Sequence, residues 1–323
     1  MKPTKGITKR GRTALLMRVL KMALTASIAL LIAVFFAFVP FRLLLPAYKI
    51  AKRGEGELRL HFLDLKGGVT IVEFPDGETL VVNAGDGSFA GDNTLCRYLR
   101  ALDITSLSVM ATTSAASHIG GMPALFEVFD VKTSYLPATS EDTGSFSRYR
   151  SAMQKEGCQT EKLTRYGLIA NGSGAYALCL SPYSTEESDA TREECSAVLY
   201  LSYGGVGVVL AGDVTQKREN QLIREYTLLN TVFDNGDYKV RLEDTQILCV
   251  SSHGSDNGSS GNWLSTLSPS VSIVCCNQSE RPSDNALARI AQYSGKIYRT
   301  DELGATMVTI EGGSFEVSWN KLK

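Results

Sequence analysis

The longest apolar segment comes first in the chain. Between Lys21 and Arg42 there is no charged residue, and residues 22–41 include Ile28, Leu30, Leu31, Ile32, Val34, Phe35 and Phe36. Twenty residues at about 1.5 Å rise make a helix of about 30 Å, the hydrocarbon thickness of a bilayer. The pattern predicts a basic tail over residues 1–21, a transmembrane anchor over 22–46, a linker over 47–57 and one folded domain over 58–323. No small-x-small cleavage site follows the apolar run before Pro40, Arg42 and Pro46, so an uncleaved anchor is expected rather than a signal peptide.

After the linker the period changes to two. Leu58, Leu60 and Phe62 alternate with Arg59 and His61, and apolar runs follow at 69–74 and 79–82, broken at Gly67-Gly68 and Asp76-Gly77. These are three strands, the last two joined as a hairpin. Asn93 is the expected cap of a helix running to about Ala101, with Leu95, Tyr98, Leu99 and Leu102 on one face. A buried strand at 107–111, a loop at 112–121 and a helix at 123–129 come next. Strands follow at 134–136, 175–180, 197–203 and 206–211, the last pair turning at Gly204-Gly205, while the polar stretch 139–147 reads as a loop. Later elements are a helix from Thr215 to about Tyr226, strands at 246–250 and 271–275, a helix at 283–293, and closing strands near 307–310 and 315–319. Strand-rich halves with helices between them imply an α/β (α+β) sandwich of two sheets.

Composition changes this picture mainly through charge. With 44% hydrophobic and 21% charged residues the chain is of ordinary globular type, but its net charge of −1 hides an asymmetry. Residues 1–53 carry eleven basic groups and no acid, which leaves 22 basic against 34 acidic groups, a net −12, in the remainder. Seven of the eleven precede the apolar run and four follow it. The positive-inside rule then predicts a cytoplasmic N-terminus, with the domain outside the cell membrane. A body this acidic repels a phosphate backbone, which counts against a nucleic-acid partner. Seven cysteines without a CxxC pair fit neither a disulfide scaffold nor a zinc knuckle. Cys158 and Cys179 are the conceivable bridge, and buried thiols are the expectation.

Several ordered segments resemble the β-lactamase-like domain of ComEC-type competence proteins, within the metallo-β-lactamase superfamily. His61 to Ile71 reads HFLDLKGGVTI where that family has HFLDVGQGDAI, and Val82-Asn83-Ala84-Gly85 stands for VDAG. Thr112 to Gly121, TTSAASHIGG, takes the place of THPHADHIGG. Tyr203-Gly204-Gly205, Leu210-Ala211-Gly212-Asp213, Val250 to Ser255 (VSSHGS), Arg281-Pro282-Ser283 and Tyr298 to Gly304 (YRTDELG) correspond to YGG, LTGD, VxHHGS, HPS and YRTDEDG. The resemblance runs from about residue 58 to 312. It implies a four-layer αββα sandwich and, in the family, a metal-dependent hydrolase.

The family's HxHxDH motif grips two metal ions, and a later aspartate bridges them. Here Thr113 and Ala115 occupy the positions of the first two histidines and Ser117 that of the aspartate. With three histidines in the whole chain, an ordinary first metal site cannot be rebuilt. His118, Asp213 and His253 correspond to part of the second-metal set, and Ser252 replaces one histidine of the HHGS pair. Asn83 replaces an aspartate, Val69 another, and Lys66 a glycine, all of which weaken divalent-metal binding. The expected vestigial pocket is therefore Asp64, Asn83, Thr113, Ala115, Ser117 and Ser252, with no catalytic residue. His118, Asp213 and His253 are the candidate metal ligands.

As purely structural residues, His118 would bond its loop, Asp213 would cap the helix after Thr215, and His253 would pack beneath Gly254. A serine mechanism through Ser114, Ser117, Ser251, Ser252 or Ser255 lacks a GxSxG elbow, paired carboxylates at Asp64 and Asp213 have no supporting pattern, and the glycine-rich loops match no phosphate-binding motif. The sequence thus points to a membrane-anchored, non-catalytic binding protein for an extracytoplasmic ligand or protein, with no cofactor expected. The alternative is a single-metal ester hydrolase, phosphodiesterase- or nuclease-like, using one zinc or manganese ion.

Overall fold

The computed structural model describes residues 9–139, 143–183, 190–228, 233–235 and 238–322. The chain divides into two compact units, Met1–Pro46 and Ala47–Lys323. In the first unit α1 (Lys9–Phe38) is followed by the short α2 (Phe41–Leu44). Its stretch Leu16–Phe36 is long and apolar enough to cross a membrane. The helix thus starts earlier than the charge-free run and does not continue through residue 46. Pro40 cannot donate an N–H to the helix ladder and its ring disfavours helical backbone at Val39.

The second unit begins its sheets with β1 (Leu58–Phe62), β2 (Thr70–Glu73), β3 (Thr79–Val82), β4 (Ser106–Met110), β5 (Asp130–Leu136) and β6 (Gln159–Lys162). The chain then builds β7 (Leu168–Gly172), β8 (Ala175–Ser181), β9 (Val198–Tyr203), β10 (Val206–Leu210), the small hairpin β11 (Phe233–Asn235) and β12 (Tyr238–Val240), β13 (Thr245–Cys249), β14 (Val271–Val274) and β15 (Lys296–Arg299). It ends with β16 (Ala305–Glu311) and β17 (Ser314–Asn320). Among the described residues eight strands pair in the order β17-β16-β1-β2-β3-β4-β5-β6 and seven in the order β15-β14-β13-β10-β9-β8-β7. Strands β3, β4, β5 and β6 run parallel to one another, as do β10, β13, β14 and β15.

Three apolar layers separate four layers of structure. Leu58, Leu60 and Phe62 of β1 meet Leu199, Leu201, Val208 and Ile247 between the two sheets. On the outer face of the larger sheet, Ile71, Val81 and Val109 pack on α3 (Phe89–Ala101), α5 (Met122–Val128) and α6 (Gly144–Glu156) through Leu95, Leu99, Leu125 and Tyr149. On the other sheet, Leu180, Val209 and Leu248 pack on α7 (Gln216–Leu228), α8 (Gly261–Leu267) and α9 (Asp284–Ala291) through Leu222, Trp263 and Ile290. Neighbours such as Ile71 and Val72 face opposite layers, so the central strands bury both faces and read as unbroken apolar runs. The αββα sandwich is thus observed. Every residue of these cores lies beyond Pro46. Residues of the 47–57 segment join the unit: Tyr48 and Ile50 pack on the helical layer and Arg59 bonds the Ala51 carbonyl at 2.9 Å.

Several local expectations are corrected. Ser88, not Asn93, caps α3, accepting from the Gly91 N–H at 3.3 Å, while Asn93 is buried within the helix. The first turn was hidden because Phe89 faces solvent at 66% exposure and breaks the apolar periodicity. The stretch 139–147 is not wholly loop: Thr143 caps α6 through the Phe146 N–H at 3.2 Å, and residues 140–142 lie outside the described residues. The loop 112–121 contains a single helical turn, α4 (Ala116–Ile119). Strands β6, β7 and β15, the β11–β12 hairpin, helix α8 and the turn α10 (Thr300–Leu303) were not foreseen. All seven cysteines are free thiols, so Cys158 and Cys179 form no bridge.

Candidate metal centre

The loops at the carboxyl ends of β4, β10 and β13 carry three side chains to one point. His118 comes from α4, Asp213 follows β10, and His253 lies in the tight turn after β13. Their donor atoms all lie within 4.8 Å of one another. His118 Nε2 is 3.2 Å from Asp213 Oδ2, and His253 Nε2 is 3.4 Å from Asp213 Oδ1. Asp213 therefore caps no helix; its carboxylate lies between the two imidazoles, and Ser196 Oγ accepts its backbone N–H at 2.8 Å.

Each ring is fixed from behind. His118 Nδ1 is 2.7 Å from Thr113 Oγ1 and 3.2 Å from Thr112 Oγ1, and His253 Nδ1 donates to the Cys275 carbonyl at 2.9 Å. A neutral imidazole that donates through Nδ1 presents a lone pair at Nε2. Burial holds the His118 pKa down, against the opposing pull of Asp213, so this ring is neutral near pH 7. Although His118 Nε2 is within ion-pair distance of Asp213, Nε2 and Asp213 Oδ1 are buried without a hydrogen-bond partner among the described residues. Unpaired buried polar atoms of this kind are costly unless something else occupies the space between them.

The turn between β1 and β2 presses on both rings. A Cβ on Gly67 would fall 2.0 Å from the Ser117 carbonyl oxygen and 3.0 Å from His118 Cδ2, and one on Gly68 would fall 2.7 Å from His253 Cε1. Asn83 ties this turn to β4: its Nδ2 donates to the Gly67 carbonyl at 3.1 Å and its Oδ1 accepts from Thr112 N at 2.9 Å. An aspartate could not make the first of these bonds, so the asparagine works as a structural link. Ser252 and His253 both adopt left-handed backbone, φ 50° and 54°, a strain often found where a loop aims a functional side chain. The Ser252 hydroxyl donates to the Asp213 carbonyl at 3.1 Å.

The other expected pocket residues divide. Thr113 supports His118, and Ala115 and Ser117 are half-buried beside it, where neither the methyl group of Ala115 nor the Ser117 carbonyl against Gly67 reconstitutes a histidine or carboxylate ligand. Asp64 lines a different cavity with Tyr48, Thr94, Asp301 and Lys321, where burial and then Asp301 raise its pKa. His61, the third histidine, is fully buried between Glu73 at 2.8 Å and Tyr98 at 3.0 Å and is committed to the sheet. Two charged neighbours were missed: Glu280, whose Oε2 accepts the Gly67 N–H at 2.8 Å, and Arg192, and both act electrostatically on His118. The position of Glu280 immediately before Arg281-Pro282-Ser283 was the one available hint.

The residues present do not fit a two-metal centre. Thr113, Ala115, Ser117 and Ser252 leave the first ion without imidazoles and the second without its extra carboxylate. Their chemistry and closeness suit at most one ion: two imidazole nitrogens and one carboxylate lie within 4.8 Å of one another.

The chain matches no family model. Over 233 residues, 70% of this chain, it is 24% identical to ComE operon protein 3 of Bacillus subtilis, and it spans 28% of that relative's length. Among solved structures, a CmlA β-hydroxylase E377D mutant gives a TM-score of 0.50 at 11% identity, covering 80% of this chain and 55% of that one. The metallo-β-lactamase fold protein YhfI of Bacillus subtilis gives 0.48 at 10% identity, covering 81% of this chain and 100% of that one. At such identities the structural likeness concerns the fold alone. In its sequence and in the order of its loop motifs the chain is similar to ComEC-type competence proteins, and its fold is that of the metallo-β-lactamase superfamily, with a reduced metal motif.

Proposed function

We propose that the chain is a membrane-anchored protein, its N-terminus cytoplasmic and its sandwich outside the cell, whose pocket binds a ligand or partner protein without hydrolysing it. The donor set carries this reading. Of three histidines, His61 is locked in the sheet, so His118 and His253 with Asp213 are all that remain for a centre that needs two ions. Loops held by Asn83, Thr113 and the Cys275 carbonyl keep this polar cluster in place, which supports a binding role for it. The apolar stretch Leu16–Phe36 and its flanking basic residues support the anchor and its direction.

A second reading, a one-metal hydrolase, is favoured by one observation: His118, Asp213 and His253 bring their donor atoms within 4.8 Å of one another, with His118 Nε2 and Asp213 Oδ1 unpaired among the described residues. In that case His118, Asp213 and His253 would hold the ion, which would supply Lewis-acid activation of water or an ester oxygen. Thr113 and the Cys275 carbonyl would keep both rings oriented through Nδ1.

Metal content separates the two. The full chain is purified in detergent with zinc or manganese supplied, beside a His118→Ala/His253→Ala variant, and both are measured by inductively coupled plasma mass spectrometry. Folded protein with far less than one ion per chain, and no turnover of bis-(p-nitrophenyl) phosphate, is the expected result. One ion per chain that disappears in the variant, together with turnover, overturns the binding reading in favour of the hydrolase.

A further inference from the structure

We propose that the groove between α6 and the carboxyl ends of β5 and β6 binds a small amphipathic anion, a molecule with one apolar body and one carboxylate, sulfonate or phosphate group. The cavity measures about 650 Å³, within the usual range for small-molecule sites. Leu136, Phe146 and Met153 make its apolar wall, and Arg150 and Lys162 stand at its rim. None of the three metal-centre residues lines it, and the proposal does not depend on the reading of that centre.

Among the described residues, the lining side chains that carry charge are both cations, Arg150 and Lys162. In a body with net −12, α6 carries Arg148, Arg150 and Lys155 against the single acid Glu156. No carboxylate lies within ion-pair distance of Arg150 or Lys162 among the described residues. The Arg150 guanidinium is held 5.1 Å from the Phe146 ring centroid, so a cation and an aromatic face are presented together. An apolar ligand without charge would fill the wall but leave both cations unpaired; a hydrophilic anion would satisfy the cations but not cover the half-exposed Leu136 and Ala138. An amphipathic anion does both. The thiol of Cys158, half-buried in the cavity wall, reports on occupancy.

The test uses residues 47–323, because among the described residues no member of the three cores precedes residue 47. The probes are 8-anilinonaphthalene-1-sulfonate and its uncharged counterpart N-phenyl-1-naphthylamine, titrated by fluorescence, with alkylation of Cys158 by N-ethylmaleimide followed by peptide mass spectrometry. Saturable binding of the sulfonate is expected to slow alkylation of Cys158 while leaving that of Cys249 unchanged. Arg150→Glu/Lys162→Glu, at two exposed positions that leave the fold intact, is expected to weaken the sulfonate roughly tenfold or more and to leave the neutral dye unaffected. The proposal is overturned if the sulfonate shows no saturable binding, if Cys158 is not protected at saturation, or if the double variant binds the sulfonate as wild type does.

Discussion

Replacing Gly68 by alanine tests whether the turn between β1 and β2 seats His253. Gly68 has φ +61°, where an L side chain costs about 1–2 kcal/mol. The added Cβ would also lie 2.7 Å from His253 Cε1 and 2.9 Å from Nδ1, too close for unbonded atoms, so the imidazole must move. Its 2.9 Å bond to the Cys275 carbonyl is then lost, adding about 0.5–1.5 kcal/mol. The sum is about 1.5–3.5 kcal/mol. Gly157→Ala is the matched control: φ is +73° at the end of α6, and a Cβ there meets open space, so only the backbone cost of about 1–2 kcal/mol applies. Urea unfolding of both variants, with unchanged m-values, should place Gly68→Ala about 1 kcal/mol below Gly157→Ala. Equal losses would refute the close contact between the turn and the ring.

Asn83→Asp restores the residue usual in the family, yet should destabilise the protein. A carboxylate oxygen would face the Gly67 carbonyl that Asn83 Nδ2 now serves, at a cost of about 1–3 kcal/mol that grows as pH rises through the carboxylate range. Urea midpoints that match wild type at neutral pH would contradict the role given to Asn83. Glu219, buried beneath Ser251, Ser259 and Ser260, has its pKa raised by burial, which outweighs the hydrogen bonds it receives. The native state then holds this proton more tightly than the unfolded chain. The glutamate's contribution is complete below the ordinary glutamate range and falls as pH rises through the raised value. The stability advantage of wild type over Glu219→Gln should therefore narrow as pH rises above the ordinary glutamate range in paired denaturation curves. A gap that widens would mean that the three donors outweigh burial.

Much of the sandwich was legible because strand period and glycine breaks are local properties. The alternation at Leu58, Leu60 and Phe62 and the turns at Asp76-Gly77 and Gly204-Gly205 appear as read. Where local pattern misled, a tertiary contact had overridden it. Polar residues open α6 because that turn faces solvent, and its core contacts, Phe146, Tyr149 and Met153, begin only after the cap. Helix α8 is short, but Trp263 and Leu264 are buried under the smaller sheet, which supplies the stability its length does not.

The candidate site divides the same way. The sequence by itself determined which donors the site lacks: folding cannot make a ligand of Ala115, and three histidines cannot serve two ordinary metal positions. Only the tertiary structure decided which survivors meet. His118, Asp213 and His253 belong to loops of two different sheets, and spacing along the chain carries no distance between loops until strands pair and sheets stack. The same stacking locked His61 against Glu73 and Tyr98, turned Asp64 toward Asp301, and brought Glu280 to the Gly67 amide. Residue chemistry is written locally, whereas the meeting of residues depends on packing of the whole domain.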